Sequence, residues 1–426
     1  MRLAILLSCL FAAPAPTQAG ADHVVVITRT TSPAASALFD ADLATGAIQP
    51  LARFSLDRFP PLAVAVDGVN RDVVVALQTP IGTSVLVRLR VRGAAIIQEQ
   101  SLGDVPGIVQ ALAQALDGDW VSTTTTGIYA TARNGSVPRT IALHTNATAI
   151  ETFGMASAQA VIAQSGTTTN DPQVRWIDLT SGRTIAGPWV YVGHTPPGIT
   201  GVGDLPTGAS RQVISQTDGT IAMSVNFANP TTLPLTPVLP PGATTAMHVR
   251  GIEGTVLGDS AHPFLKSFQA LGGTQWTILA GPIPGDPVDF AFRPEPVAAT
   301  VPFARACASM QLGERSGSGP PRLGSTTFGL ELTHGLSSAP AFLLLGASDV
   351  RFGALRLPAT LPGGCQALAS AEIVLATMTS GFGDAALTIG VPNQSSLLGG
   401  IAYCQWMQVR GAALDTSNAG ALWFAN

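Results

Sequence analysis

Through the first two-thirds of the chain, apolar residues come in short unbroken runs rather than in strict alternation. Val24-Val25-Val26-Ile27 and Val73-Val74-Val75-Ala76-Leu77 are two of these. Runs of four to six β-branched residues bounded by glycine, proline and asparagine read as strands, and a strand apolar on both sides must be covered on both faces. The runs recur with a period. Asp42-Leu43-Ala44-Thr45-Gly46 returns, about three periods later, as Asp178-Leu179-Thr180-Ser181-Gly182. Turn residues occupy the intermediate phases at Gly93, Gly135, Pro230 and Gly273. A period of about 45 residues holding four short strands is the pattern of a propeller blade.

Six turn markers predict a six-bladed β-propeller over residues 22–297. The first unit lacks an innermost strand, and Pro287-Val288-Asp289-Phe290-Ala291-Phe292 has the pattern of such a strand with nothing following it. The expected closure therefore joins residues 285–293 to the strands of residues 22–58, which would leave no open sheet edge. The turn signal of a seventh unit is missing, because Ser316-Gly317-Ser318-Gly319-Pro320-Pro321 reads as a loop.

At Arg293-Pro294-Glu295-Pro296 the rhythm changes. Beyond it, strands are predicted at about 326–333, 341–346, 353–359, 366–377, 384–390, 398–409 and 420–425, separated by turns such as Gly363-Gly364 and Pro392-Asn393. Alternating faces in these runs point to a C-terminal β-sandwich over residues 298–426. The fold class is thus all-β.

Composition bears on location. Only 11% of residues are charged, against roughly 25% in an ordinary soluble domain, and the net charge is −4. An acidic balance excludes nucleic acid as a partner, since phosphates require a basic surface. Arg2, the apolar run Leu3 to Ala13 and Ala19-Gly20-Ala21 together read as a signal peptide over residues 1–21. No other run reaches the ~18 apolar residues of a membrane span, so the expected product is secreted or on the outer cell surface, with no transmembrane segment.

Three cysteines follow the signal. Alternation along residues 401–408 puts Ala402, Cys404 and Trp406 on one apolar face, so Cys404 reads as a buried thiol and Cys307 is paired with Cys365. A Cys365–Cys404 bridge is the alternative, because connectivity is not encoded in spacing.

The propeller resembles bacterial secreted propellers in a general way. No Trp-Asp dipeptide marks its units, and Gly273-Thr274-Gln275-Trp276 is only half of a sialidase-type repeat box. The C-terminal residues carry a more specific likeness. Ala339-Pro340 with Leu343-Leu344-Leu345-Gly346, then Gly353-Ala354-Leu355-Arg356-Leu357-Pro358 leading to Gly364-Cys365, then Val391-Pro392-Asn393 and Tyr403-Cys404-Gln405, resemble an uncharacterised terminal β-module of secreted proteins from environmental bacteria. That resemblance implies an early cysteine partnering the Gly-Cys, which supports Cys307 with Cys365. It implies no activity.

Candidate chemistry is sparse. Loops entering the innermost strands would present Asp104, His144, His194 and Asp286 at one propeller mouth, and two imidazoles with two carboxylates could hold a divalent metal or act as acid and base. Strand capping is the competing role for the same residues. Gly258-Asp259-Ser260 with His262 lacks the G-x-S-x-G setting of a hydrolase serine and reads as a polar turn. Arg88, Arg90 and Arg92 alternate along one strand and share a face, which could grip an anionic polysaccharide or simply be solvated. No cofactor is expected. The favoured function is binding of an extracellular ligand, glycan or protein. The alternatives are a metal-dependent hydrolase or lactonase-like enzyme at the mouth, and a structural protein of the envelope.

Overall fold

The computed structural model describes residues 23–29, 38–51, 59–92, 95–115, 118–143, 147–153, 159–164, 173–190, 199–205, 211–216, 221–224, 232–234, 244–250, 253–258, 260–269, 276–293, 298–304, 306–307 and 309–426. The expected signal peptide and the proline-rich boundary at 294–297 lie outside them. So do the turn markers Gly93, Pro230 and Gly273.

Six four-stranded antiparallel sheets occupy the described residues from 23 to 293. Five run in chain order, with leading strands Pro61–Val66, Val109–Gln114, Ala147–Phe153, Ile199–Leu205 and Thr244–Arg250. The remaining sheet is mixed in origin: Asp286–Arg293 lies beside His23–Arg29, followed by Leu38–Asp42 and Ile48–Pro50. Its seam pairs His23 with Arg293 and Val26 with Phe290, and a bulge after Ile27 ends the regular register. The leading strands touch one another in a cycle that runs from Asp286–Arg293 through Pro61–Val66 round to Thr244–Arg250 and back. This is a β-propeller arrangement, and it explains the unbroken apolar runs. Val25 and Ile27 pack with Val73, Val75 and Leu77 of the next sheet. Val24 and Val26 pack with Leu257, Leu265 and Phe290 on the other side. Burying such a side chain on either face contributes about 1.5–3 kcal/mol, so neither face can be polar.

The repeated Asp-Leu-x-x-Gly segments build the same turn twice. Asp42 Oδ1 accepts the N–H groups of Ala44 and Thr45 at 2.9 and 3.2 Å, while Asp178 Oδ1 accepts those of Thr180 and Ser181 at 2.7 and 3.0 Å. Each turn closes on a glycine in the left-handed region, Gly46 at φ 72° and Gly182 at φ 70°. Glycine is needed there for a second reason. A Cβ on Gly182 would run into the carbonyl of Ile141 in the preceding sheet, as one on Gly135 would meet Leu102 O at 2.9 Å.

The C-terminal module has a five-stranded sheet ordered Ala299–Phe303, Ala413–Trp423, Ile401–Arg410, Pro340–Gly346, Ile373–Met378. A three-stranded sheet of Gln311–Glu314, Gly329–Thr333 and Ala385–Thr388 shares its core. Leu343, Leu345 and Trp406 of the larger sheet meet Leu312, Phe328, Leu330 and Leu332 of the smaller side. Three strand expectations fail here. The run at 366–377 is split into Gln366–Ala367, paired with Ala359–Thr360, and Ile373–Met378 at the edge of the five-stranded sheet. The run at 353–359 is instead a tight hairpin, Arg351–Phe352 against Leu355–Arg356, because Gly353 turns at φ 58° and Pro358 cannot donate to a ladder. The last long strand begins at Ala413, not 420, and its first half carries polar residues that hydrogen-bond inward.

Cys307 and Cys365 form the disulfide. Cys404 is a free, fully buried thiol whose pKa is pushed up by burial.

Candidate functional site

Of the four mouth residues read from the sequence, His144 and His194 lie outside the described residues. Asp104 is exposed and sits within the strand Ala95–Val105, opposite Val85, rather than in an entering loop. Asp286 is exposed at the start of its strand, opposite Arg29. Among the described residues no three His, Cys, Asp or Glu side chains cluster as metal ligands would. Ser260 and His262 belong to the turn between Glu253–Gly258 and Leu265–Gln269, closed by Gly258 N–H to Phe264 O at 3.1 Å.

Between the leading strands lies a narrow cavity of about 50 Å³ lined by residues including Gln110, Thr148, His248 and Asp289. Asp289 stands on the strand that closes the ring. Its carboxylate accepts Val64 N–H at 2.9 Å from the next sheet and Phe290 N–H at 2.9 Å. His248 Nε2 approaches from the other neighbour at 4.0 Å, its ring edge-on to Phe290 at 4.9 Å. Burial pushes the Asp289 carboxyl up to about 6, against the opposing pull of His248 and the two N–H donors. A carboxyl with a raised native pKa binds its proton more tightly folded than unfolded. Its contribution is complete below the unfolded value of 3.8 and is lost as pH rises through about 6. Native stability should therefore fall by up to about 3 kcal/mol across that window from this group. Urea midpoints measured from pH 3.5 to 7 should differ in slope between the wild type and Asp289→Asn, and parallel curves would remove Asp289 as the cause.

The larger constellation forms where the propeller meets the C-terminal module. The chain leaving Pro61–Val66 turns through Asp67 to Asp72, held by Asp67 N–H to Asp72 O at 2.8 Å. Asp67 caps its own turn by accepting Val69 and Asn70 N–H at 2.8 and 3.2 Å. The same carboxylate receives the Arg133 fork, Nε at 2.9 Å and Nη2 at 3.1 Å. Arg133 reaches on to Asp349 of the module at 2.7 Å and lies over the Phe303 ring at 4.9 Å. Asn70 donates to Asp349 and accepts the Tyr403 hydroxyl at 2.6 Å, while Trp423 Nε1 donates to Val69 O at 2.7 Å. Although burial acts to raise it, the Asp67 carboxyl is held below the usual range by Arg133 and Arg88. Asp72 goes the other way, raised by burial despite its contact with Arg90.

Beside this junction opens a cleft of about 480 Å³. Its propeller wall is the arginine strand read from the sequence. Arg88 and Arg90 share a face with their cross-strand neighbours Gln100 and Gln98. The opposite wall is the module's hairpin, with Arg351 and Arg356. The expected solvated arginine face is thus corrected in part. Arg88 is 4% exposed, 3.6 Å from Asp67 of its own sheet and hydrogen-bonded to the carbonyl of Arg133 from the next sheet's turn, so it is packed between two propeller sheets. Arg90 stays 41% exposed at the cleft with its fork on Asp72. The side chain of Arg92 lies outside the described residues. Alternation made the shared face readable, whereas the pairings of Asp67 with Arg133 and of Asn70 with Asp349 had no local signal, spanning 66 and 279 residues.

No family model and no curated protein matches this chain. Two of the solved structures to which it is similar over part of its length illustrate the likeness. One is hydrazine synthase from Kuenenia stuttgartiensis, at 13% identity over 55% of this chain and 70% of that one, with a TM-score of 0.39. The other is the β-propeller domain of Cps50 (Swd1) from Myceliophteria thermophila, at 13% identity over 62% and 85%, with a TM-score of 0.40. Similarity at this level says nothing of activity, and the assignment of the chain to an all-β architecture with a β-propeller rests on its own sheet order.

Proposed function

We propose that this chain is a secreted or cell-surface binding protein, a six-bladed β-propeller carrying a C-terminal β-sandwich, with its ligand site in the cleft between them. The observation that carries this reading is the cleft itself. It is roomy enough for a small ligand, it is lined by both modules, and its walls are set by a buried hydrogen-bonded junction rather than by mobile loops. The disulfide is compatible with secretion, as is the finding that no helix among the described residues is long and apolar enough to cross a membrane.

The test uses the full chain and a panel of neutral and acidic oligosaccharides, titrated calorimetrically. Ala347 is exposed on the cleft wall, so Ala347→Trp fills the space without touching the core. At least one probe should bind the wild type and bind the variant at least tenfold more weakly. Undiminished binding by the variant, or no binding by any probe, overturns the reading. A stoichiometric divalent ion that is lost in the His144→Ala, His194→Ala double variant would replace it with the metal-dependent hydrolase at the mouth.

A further inference from the structure

The charges around the cleft do not balance. Five guanidinium groups, Arg88, Arg90, Arg133, Arg351 and Arg356, line or underlie it, against the carboxylates of Asp67, Asp72 and Asp349. This local excess stands out in a chain whose net charge is −4. Two details sharpen it. Arg351 and Arg356 are directly opposite each other in their hairpin and both face the cleft. Like charges at opposed positions destabilise a strand pair, yet neither has a carboxylate partner among the described residues. Across the cleft, Arg88 is almost wholly buried and its Nε–H has no hydrogen-bond acceptor there. That Nε faces Asp72 Oδ2 at 3.9 Å, too far for a hydrogen bond, and Asp72 already holds the Arg90 fork, so the positive charge on this wall is only weakly offset.

We infer that the cleft takes an anionic sugar, a hexuronate-type unit whose carboxylate lies between Arg351 and Arg356 and within reach of Arg90. This inference rests on the cleft-binding reading above and names its ligand class. A carboxylate fits the planar guanidinium fork in a bidentate way, which a hairpin carrying two forks side by side is shaped to exploit. The rest of the lining suits hydroxyl groups. Gln98 and Gln100 present amides next to the arginines, and Asn134 and Ser348 complete a polar rim. The propeller and module each supply part of the site, so the ligand would bridge them.

The experiment titrates trigalacturonate, monomeric glucuronate, inorganic sulfate and maltotriose into the full chain at low and physiological salt. Trigalacturonate should bind at least tenfold more tightly than maltotriose, weaken as salt rises, and lose at least tenfold in affinity in Arg351→Ala, Arg356→Ala. The matching lysine pair should recover only part of the loss, since it restores charge but not the fork. Both positions are exposed on a short hairpin, so the variants should keep the wild-type unfolding midpoint. Glucuronate binding as tightly as trigalacturonate would assign the site to a free sugar acid, and weaker binding to a unit within a polymer; either outcome supports an anionic sugar. Sulfate binding as tightly as both would overturn the sugar assignment. If maltotriose binds at least as well as trigalacturonate and Ala347→Trp abolishes it, the anion inference fails while the cleft reading stands. If Ala347→Trp changes nothing, both fail.

Discussion

Asp67→Ala should cost about 3–5 kcal/mol and uncouple the C-terminal module from the propeller, the largest effect expected of any single polar substitution here. The side chain is fully buried and makes four contacts shorter than 3.3 Å: two with its own turn and two with Arg133. Truncation removes all of them and leaves the Arg133 and Arg88 guanidiniums buried with one carboxylate fewer. The turn that carries Val69 and Asn70 to Trp423 and Tyr403 loses its cap in the same stroke. Chemical denaturation followed by tryptophan emission should show the module melting at a lower midpoint, ahead of the propeller. An unchanged, single transition would mean that the junction contributes little. Acid should mimic the substitution. A depressed native pKa stabilises the fold above the unfolded value of 3.8 and is lost as pH falls through the native value, so this junction weakens in acid. Asp289 in the narrow cavity between the leading strands acts in the opposite direction, and Asp67→Asn against Asp289→Asn separates the two.

Removing the disulfide by Cys307→Ala, Cys365→Ala should cost about 4 kcal/mol in the chain-entropy model, given the 58-residue separation. The bridge ties the entry of the module to the Leu361–Cys365 turn, and Cys307 N–H also bonds Thr416 O at 3.0 Å on the long final strand. The loss should therefore fall on the module's transition, measured by urea unfolding with and without reductant. In the wild type, the Cys404 thiol should not exchange with the Cys307–Cys365 bridge. Cys404 is 0% exposed between the sheets, donates to Gly420 O at 3.4 Å, and is kept protonated by burial. In a chain beginning at residue 22, which lacks Cys9, a thiol reagent should accordingly find no reactive cysteine in the native state and one in the unfolded, unreduced state. A reactive thiol in the native state would contradict the burial of Cys404.

The strands were largely readable because hydrophobic patterning is a local property. Val24 to Ile27 must be covered on both faces whatever covers them, and the Asp42 and Asp178 turns depend on neighbours within five residues. The failures are local as well. The run at 353–359 has the apolar content of a continuous strand, but Gly353 turns in the left-handed region and the Pro358 nitrogen carries no hydrogen to donate.

Sequence alone therefore determined the all-β character, the face shared by Arg88 and Arg90, and the inward side of Cys404 and Trp406. Each follows from strand period and side-chain chemistry within a single segment. Tertiary structure alone decided what those faces meet. It brought Asp349 to Arg133, put His248 beside Asp289, and turned an arginine stripe into one wall of a cleft. Ion pairing and burial depend on which distant strands become neighbours, and the energy of a buried charge is set by its partners rather than by its own position in the chain.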